Sequence, residues 1–419
     1  MAKLIDFNIA SVEFQSNPYP YYARLHGEDA IFHDRRVGAY FIGKYVDVRS
    51  ILASPNFTTA PLLERAQPVM GDRVLAQMSG SEHASKRRTV LGGLSGRYFR
   101  ERYAPMIRGI SGMLLRPRLT VGSLDLVNQF GKDYGVLVAL SVLGLPTARY
   151  KEIADWHAGV SDFITSLEIE EGRRAYDLAC SRRLIEYLTP IVEQRIQRPG
   201  DDLISLLCIA DGQGETMSVE EIVALCLNIL LAATEPADKT LALLFKHLMD
   251  HREQLDRVRC DRDLLSAAID ETLRFTSPVQ LIPRQTAVDV EISGIRIPVD
   301  STVFCLIGAA NRDPRAFDSP DTFMVDRKKT EGKTSLGRVA SHLAFGAGPH
   351  VCLGAAFSLL QIEITANLLL DNLRGLKYSP GFVYKEVGLY TRGPAALCVD
   401  FDACASMEVQ PPCTAEAAA

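Results

Sequence analysis

Ten consecutive residues constrain this chain more than any others: Phe345-Gly346-Ala347-Gly348-Pro349-His350-Val351-Cys352-Leu353-Gly354. Three glycines surround the cysteine, and glycine lets a backbone turn sharply and approach a ligand closely. Amides near Cys352 can point at its sulfur and tune its basicity. An apolar helical pattern begins just beyond it, at Ala355, Ala356, Phe357, Leu359 and Leu360. Cys352 is thereby placed at a helix N-terminus, whose partial positive charge favours a thiolate. The run predicts a protected thiolate beside a space for a large flat cofactor. A structural cysteine beside a glycine turn is the plain alternative, and it leaves the other positions unexplained.

With 419 residues the chain can bury a large core. No Pro/Gly/Ser-rich linker divides it, so residues 1–404 read as one domain and residues 405–419 as a small, polar, disordered tail. Hydrophobic residues make up 47% and charged residues 23%, as in soluble globular proteins. A net charge of -5 gives no basis for nucleic-acid binding. The longest apolar run, residues 222–234, contains Asn228 and ends at Glu235, too short to span a bilayer. No signal peptide or membrane anchor is expected. The nine cysteines show no metal-ligand pair such as C-x-x-C, which suits reduced thiols in the cytoplasm.

A helical segment near residues 20–25 is followed by two short runs, 30–33 and 38–42, that read as a hairpin. Helical periodicity dominates from residue 46 to about 250. Strand patterns appear at Val290–Ile292 and Ile295–Ile297 around Ser293-Gly294, and residues 302–307 read as a buried strand. One long helix follows the cysteine run, over residues 354–373, and late strands follow it. The pattern is mainly α with a minor β lobe, an α+β arrangement in which sheet and helices segregate.

Two charged pairs stand out by spacing. Glu271 and Arg274 lie at i, i+3 on a helix with apolar Leu264, Leu265, Ala268 and Ile269, so carboxylate and guanidinium are neighbours. His83 and Arg87 lie at i, i+4 and share a helix face. Together with the cysteine run these positions resemble the cytochrome P450 family. The run matches it at Phe345, Gly346, Gly348, His350, Cys352 and Gly354, and the likeness extends over about residues 17–402. It implies the cytochrome P450 fold, heme b (iron protoporphyrin IX) as cofactor and Cys352 as the axial metal ligand. It implies that His83, Arg87, Arg284 and His350 hold the haem propionates, with Phe345 and Gly354 completing the cofactor loop. Glu271 and Arg274, with Arg327 from the later segment, would form the family's structural E-x-x-R triad.

The family usually carries Ala-Gly-x-acid-Thr on the helix over the oxygen-binding face. Here that stretch reads Ala232-Ala233-Thr234-Glu235-Pro236. Proline offers no hydroxyl, and within a helix it frees a carbonyl that can hold water. The resemblance therefore implies a proton relay built on Glu235 and water at Pro236, with the Thr234 hydroxyl two residues earlier. P450 peroxygenases that act on fatty acids carry Arg-Pro at these two positions, and Glu-Pro is expected to repel a carboxylate.

Residues 231–243, 278–285, 307–314 and 388–394 resemble a bacterial subgroup that oxidises cyclodipeptides (diketopiperazines) by hydroxylation and dehydrogenation. A small secondary-metabolite substrate is expected, with Asn228, Val279, Gln280 and Thr391 as candidate contacts. O2 and electrons from a ferredoxin or flavodoxin with its reductase complete the expected partners, and Lys86, Arg88 and Arg97 are candidates for a docking patch. Two rivals are oxidative coupling without oxygen insertion and a catalytically silent haem-binding module.

Overall fold

A computed structural model describes residues 2–94, 99–166, 169–209, 216–327, 342–404 and 407. The expected tail at 405–419, apart from Met407, lies outside the described residues, as does Arg97. Among the described residues helices form one large lobe and most strands a smaller one. In the smaller lobe six strands pair in the order Lys3–Asp6, Ala30–Asp34, Ala39–Ile42, Thr302–Leu306, Leu281–Thr286, Phe57–Thr58. The hairpin expected near residues 30–42 is present, with Phe32 opposite Phe41. So is the turn at Ser293-Gly294, where both residues adopt positive φ (51° and 84°) and Val290–Ile292 pairs with Ile295–Ile297.

Leu281–Thr286 is a strand that no sequence pattern flagged. Pro283 cannot donate to a ladder and normally demotes a run to non-strand. Here it sits opposite Phe304 while Arg284 pairs with Val303, so the strand carries Arg284 inward. Lys3–Asp6 was equally hidden, because it pairs in parallel with Ala30–Asp34 at the sheet edge and buries little.

The organising element of the helical lobe is Val219–Asp250, 32 residues long. A capping box starts it: Ser218 accepts from the Glu221 amide, and Glu221 accepts from the Ser218 amide. Residues 222–227 are at most 3% exposed. The apolar run read as a short core helix is the first part of this element, which continues without a break through Pro236. No helix among the described residues is long and apolar enough to cross a membrane. The helix after the cysteine run spans Ala355–Asn372 and packs on both the central helix and Phe99–Leu119.

Candidate functional site

The cysteine loop turns on two glycines in the left-handed region, Gly346 (φ 72°) and Gly348 (φ 71°). A Cβ on Gly348 would come within 2.6 Å of the Ala53 Cα and the Leu52 carbonyl oxygen. Glycine is therefore required there both by conformation and by close approach. The Cys352 amide donates to the Phe345 carbonyl (2.8 Å), closing the loop. Gly354 caps the following helix, and its amide reaches the Cys352 sulfur. Cys352 has open surface. Burial raises its thiol pKa, while the Gly354 amide and Arg87 lower it.

Four basic side chains gather above this loop. The His83 and His350 rings lie 4.4 Å apart. Arg87 Nη2 donates to the Val351 carbonyl at 2.7 Å, and Arg284, 4% exposed, donates to the Pro283 carbonyl. His350 is held down at about 4, first by burial and then by His83, Arg284 and Arg87. His83 is lowered by burial and Arg87. Neither Arg87 nor Arg284 has a carboxylate partner among the described residues. Buried guanidinium groups without counter-charge are costly, and they fit a ligand that brings carboxylates of its own. No three His, Cys, Asp or Glu side chains gather to hold a bare ion among the described residues. Cys352 alone thus suits a metal that arrives with its other ligands, and a Cβ on Gly354 would meet nothing within 4 Å. The residues present fit a haem with two propionates.

Beneath the loop, Glu271 and Arg274 form a buried ion pair with bonds of 2.8 and 2.9 Å. Arg327 adds a contact at 2.9 Å and the Met324 amide another at 3.0 Å. Arg274 spends its remaining donors on the Asn311, Pro320 and Thr322 carbonyls. The three residues singled out by sequence are thus brought together in space.

The central helix presents an open stripe. Asn228, Ala232 and Pro236 recur at four-residue spacing and are half-buried, exposed and half-buried. The opposite face is closed: Leu227, Leu230, Thr234 and Ala237 are at most 4% exposed. Thr234 is a correction to the relay expectation. Its hydroxyl shares a 2.5 Å hydrogen bond with His157 and donates back to the Leu230 and Leu231 carbonyls. Its backbone abuts Gly135, so it faces away from the stripe.

Glu235 borders the stripe with partners the sequence reading missed. Its carboxylate accepts from Ser161, Lys239 (3.0 Å) and Thr391 (2.9 Å). Burial pushes its pKa up, but Lys239 and the hydroxyl donors outweigh it and hold the acid at about 2. It is therefore ionised and charge-compensated, so the repulsion expected for carboxylate substrates is largely cancelled by Lys239. The i, i+4 spacing of Glu235 and Lys239 was the available signal.

Two candidate substrate contacts are also corrected. Gln280 is 2% exposed, accepts from the Tyr22 hydroxyl (2.7 Å) and donates to the Ser277 carbonyl (2.6 Å), so its amide is spent on the fold. Thr391 accepts from Lys239 and donates to Glu235, and its backbone bridges Val279. Arg65 was not anticipated at all. It donates to the carbonyls of Ile164 and Ser166 and to the Tyr390 hydroxyl, tying three segments together. Lys86 is committed to Glu82 and Glu221, which removes it from a docking patch.

Comparison with known proteins agrees with this geometry. Residues 125–380 match the family described as Cytochrome P450. The chain is 48% identical to pulcherriminic acid synthase of Bacillus subtilis (strain 168), over 94% of this chain and 98% of that protein. It is 25% identical to the biotin biosynthesis cytochrome P450 of the same organism, over 90% and 96%. The crystal structure of CalO2 superposes with a TM-score of 0.84 at 27% identity, covering 95% of this chain and 99% of that one.

Proposed function

The chain belongs to the cytochrome P450 family, and from that premise we propose that it oxidises a cyclodipeptide, with Cys352 as the axial thiolate of its haem. As a P450 it is a haem-dependent oxidoreductase that acts on a small molecule with O2 and electrons from a redox partner. When bound, thiolate-ligated haem supplies reductive activation of O2 and cleavage of the O–O bond.

The chain's own residues set the stage for that chemistry. Cys352 offers its sulfur with the Gly354 amide aimed at it. His83, Arg87, Arg284 and His350 would take the propionates, and the loop makes its turns at Gly346 and Gly348. Phe345, half-buried at the loop's start, accepts from the Cys352 amide and so ties the two ends of the loop together. Glu271, Arg274 and Arg327 keep the segment beneath the loop rigid. Glu235 is assigned the relay. Being ionised, it serves as the proton-accepting member, with the Ser161 and Thr391 hydroxyls that donate to it and water at the Ala232 carbonyl, which Pro236 leaves without an amide partner, as the path. Glu235→Gln is expected to lower product formed per electron consumed, and unchanged coupling rules the relay out.

The cyclodipeptide reading is carried by the near full-length identity to pulcherriminic acid synthase. Ala232 and Pro236, within the stretch 231–243 that resembles the cyclodipeptide-oxidising subgroup, lie on the open stripe of the central helix. Electrons are assigned to a ferredoxin or flavodoxin with its reductase. Cys180, Cys208, Cys226, Cys305, Cys352 and Cys398 are free thiols, which suits the cytoplasm.

The test is a titration of the haem Soret band against a panel of cyclodipeptides, with fatty acids and macrolides as controls. A low-spin to high-spin shift with one cyclodipeptide, followed by its turnover, supports the reading. Silence across the cyclodipeptides with a shift for a control removes the substrate assignment and leaves the family membership intact.

A further inference from the structure

The cyclodipeptide reading leaves open which side chain reads the ring, and the inference made here rests on that reading. Polar groups around the pocket are nearly all spent. Gln280 is bonded to Tyr22 and Ser277, and Thr391 to Lys239 and Glu235. Ser161 is bonded to Glu235 and Thr234 to His157. Gln77 bonds the Val74 amide and the Leu62 carbonyl. Asn228 is the exception. Its carboxamide makes no hydrogen bond among the described residues, yet it stands in the middle of a core helix whose preceding six residues are at most 3% exposed. It is half-buried on the open stripe, in line with Ala232 and Pro236. Its donor and acceptor are left open on that stripe, where a ligand can take both.

The chemistry of the substrate class supplies a partner. A six-membered diketopiperazine ring forces both amides cis, so each edge presents an N–H and a C=O side by side. A primary carboxamide presents the same two groups in the complementary order. The two close an eight-membered ring of two parallel N–H···O bonds. Few other side chains offer a neutral donor and acceptor at that spacing. Ala232, one turn on, has only a methyl group and leaves room for the ring. The Glu235–Lys239 pair begins two turns on from Asn228, about 10 Å along the helix axis.

We propose that Asn228 is the specificity-determining residue of the pocket: its carboxamide grips one cis-amide edge of a cyclodipeptide and so fixes which face of the ring meets the cofactor. A site built this way discriminates by leaving Asn228 unpaired when the edge is altered.

The experiment uses the haem-loaded full chain and spin-state titration with cyclo(Leu-Leu) and its di-N-methyl derivative. The wild type is expected to bind cyclo(Leu-Leu) roughly 10- to 100-fold more tightly than the methylated ring, the worth of two net hydrogen bonds. In Asn228→Leu that preference should collapse to within about threefold, with haem content and the reduced carbon-monoxide spectrum unchanged. Asn228→Asp, isosteric but without the N–H donor, should also lose most of it and serves if the leucine variant does not fold. A variant that keeps the full preference overturns the assignment while the substrate class stands. A wild type that responds to neither ring nor any other cyclodipeptide sinks the substrate class and the assignment with it.

Discussion

Two charged clusters flank the cysteine loop, and they are built on opposite principles. Below it, Glu271, Arg274 and Arg327 satisfy one another: the Glu271 carboxylate receives both guanidinium groups, and spare donors end on carbonyls. Above it, His83, Arg87, Arg284 and His350 face one another with no carboxylate among the described residues, and each histidine is depressed first by burial and then by its basic neighbours. The lower cluster completes itself and belongs to folding. The upper one has no such counter-charge among the described residues, as expected of a site for an external anion. Burial alone does not separate them, since Arg274 and Arg284 are 2% and 4% exposed. The presence of an internal counter-charge does.

The sharpest way to break this contrast is to remove one member from each side. Glu271→Gln leaves two guanidinium groups facing a neutral amide in the interior. Breaking a buried pair from one side costs about 3–5 kcal/mol. The expected outcome is a large loss of stability in chemical denaturation, in the apoprotein as much as in the haem-loaded form. A loss confined to the haem-loaded form would show that this cluster also depends on the ligand.

Glu235 and Lys239 offer an intermediate case, a self-compensated pair that opens onto the pocket. The acid sits at about 2 in the folded chain against an ordinary 4.5. Its contribution is fully present above about pH 4.5 and fades as the pH falls toward about 2. Its full worth is on the order of 2–3 kcal/mol. Stability measured across that window should fall more steeply for the wild type than for Glu235→Gln, which has no carboxylate to protonate. Parallel acid limbs would mean that the pair is not formed in solution.

The same contrast shows what could be read from the chain beforehand. The cysteine loop, the His83/Arg87 pair and the Glu271/Arg274 pair are legible because their members lie within one turn of a helix or one tight loop. Gln280 and Thr391 were sensible polar candidates whose donors and acceptors are consumed by residues 258 and 152 positions away, Tyr22 and Lys239. Arg65 had no local signal, because its partners Ile164 and Tyr390 lie 99 and 325 positions away. Pro283 concealed the strand that delivers Arg284, since the rule against proline in strands ignores what a neighbouring ladder can tolerate. Chemistry written in local spacing was visible, whereas the availability of a polar group, which depends on distant partners, was not.

The smallest effect carries the most information about the upper cluster. Arg284→Met removes a guanidinium that donates to its own neighbour's carbonyl, and methionine fills similar volume without charge. If the charge exists for an external anion, its removal leaves the apoprotein unchanged or more stable by about 1 kcal/mol, because a desolvation cost disappears. The haem-loaded form should lose its cofactor faster in a transfer assay to an apo-globin acceptor. The two readouts must move apart for the contrast to hold. If the apoprotein were instead destabilised as Glu271→Gln is, Arg284 would have an internal structural role, and the division between a self-completing cluster and a ligand-completed one would fail at the residue where burial makes it most demanding.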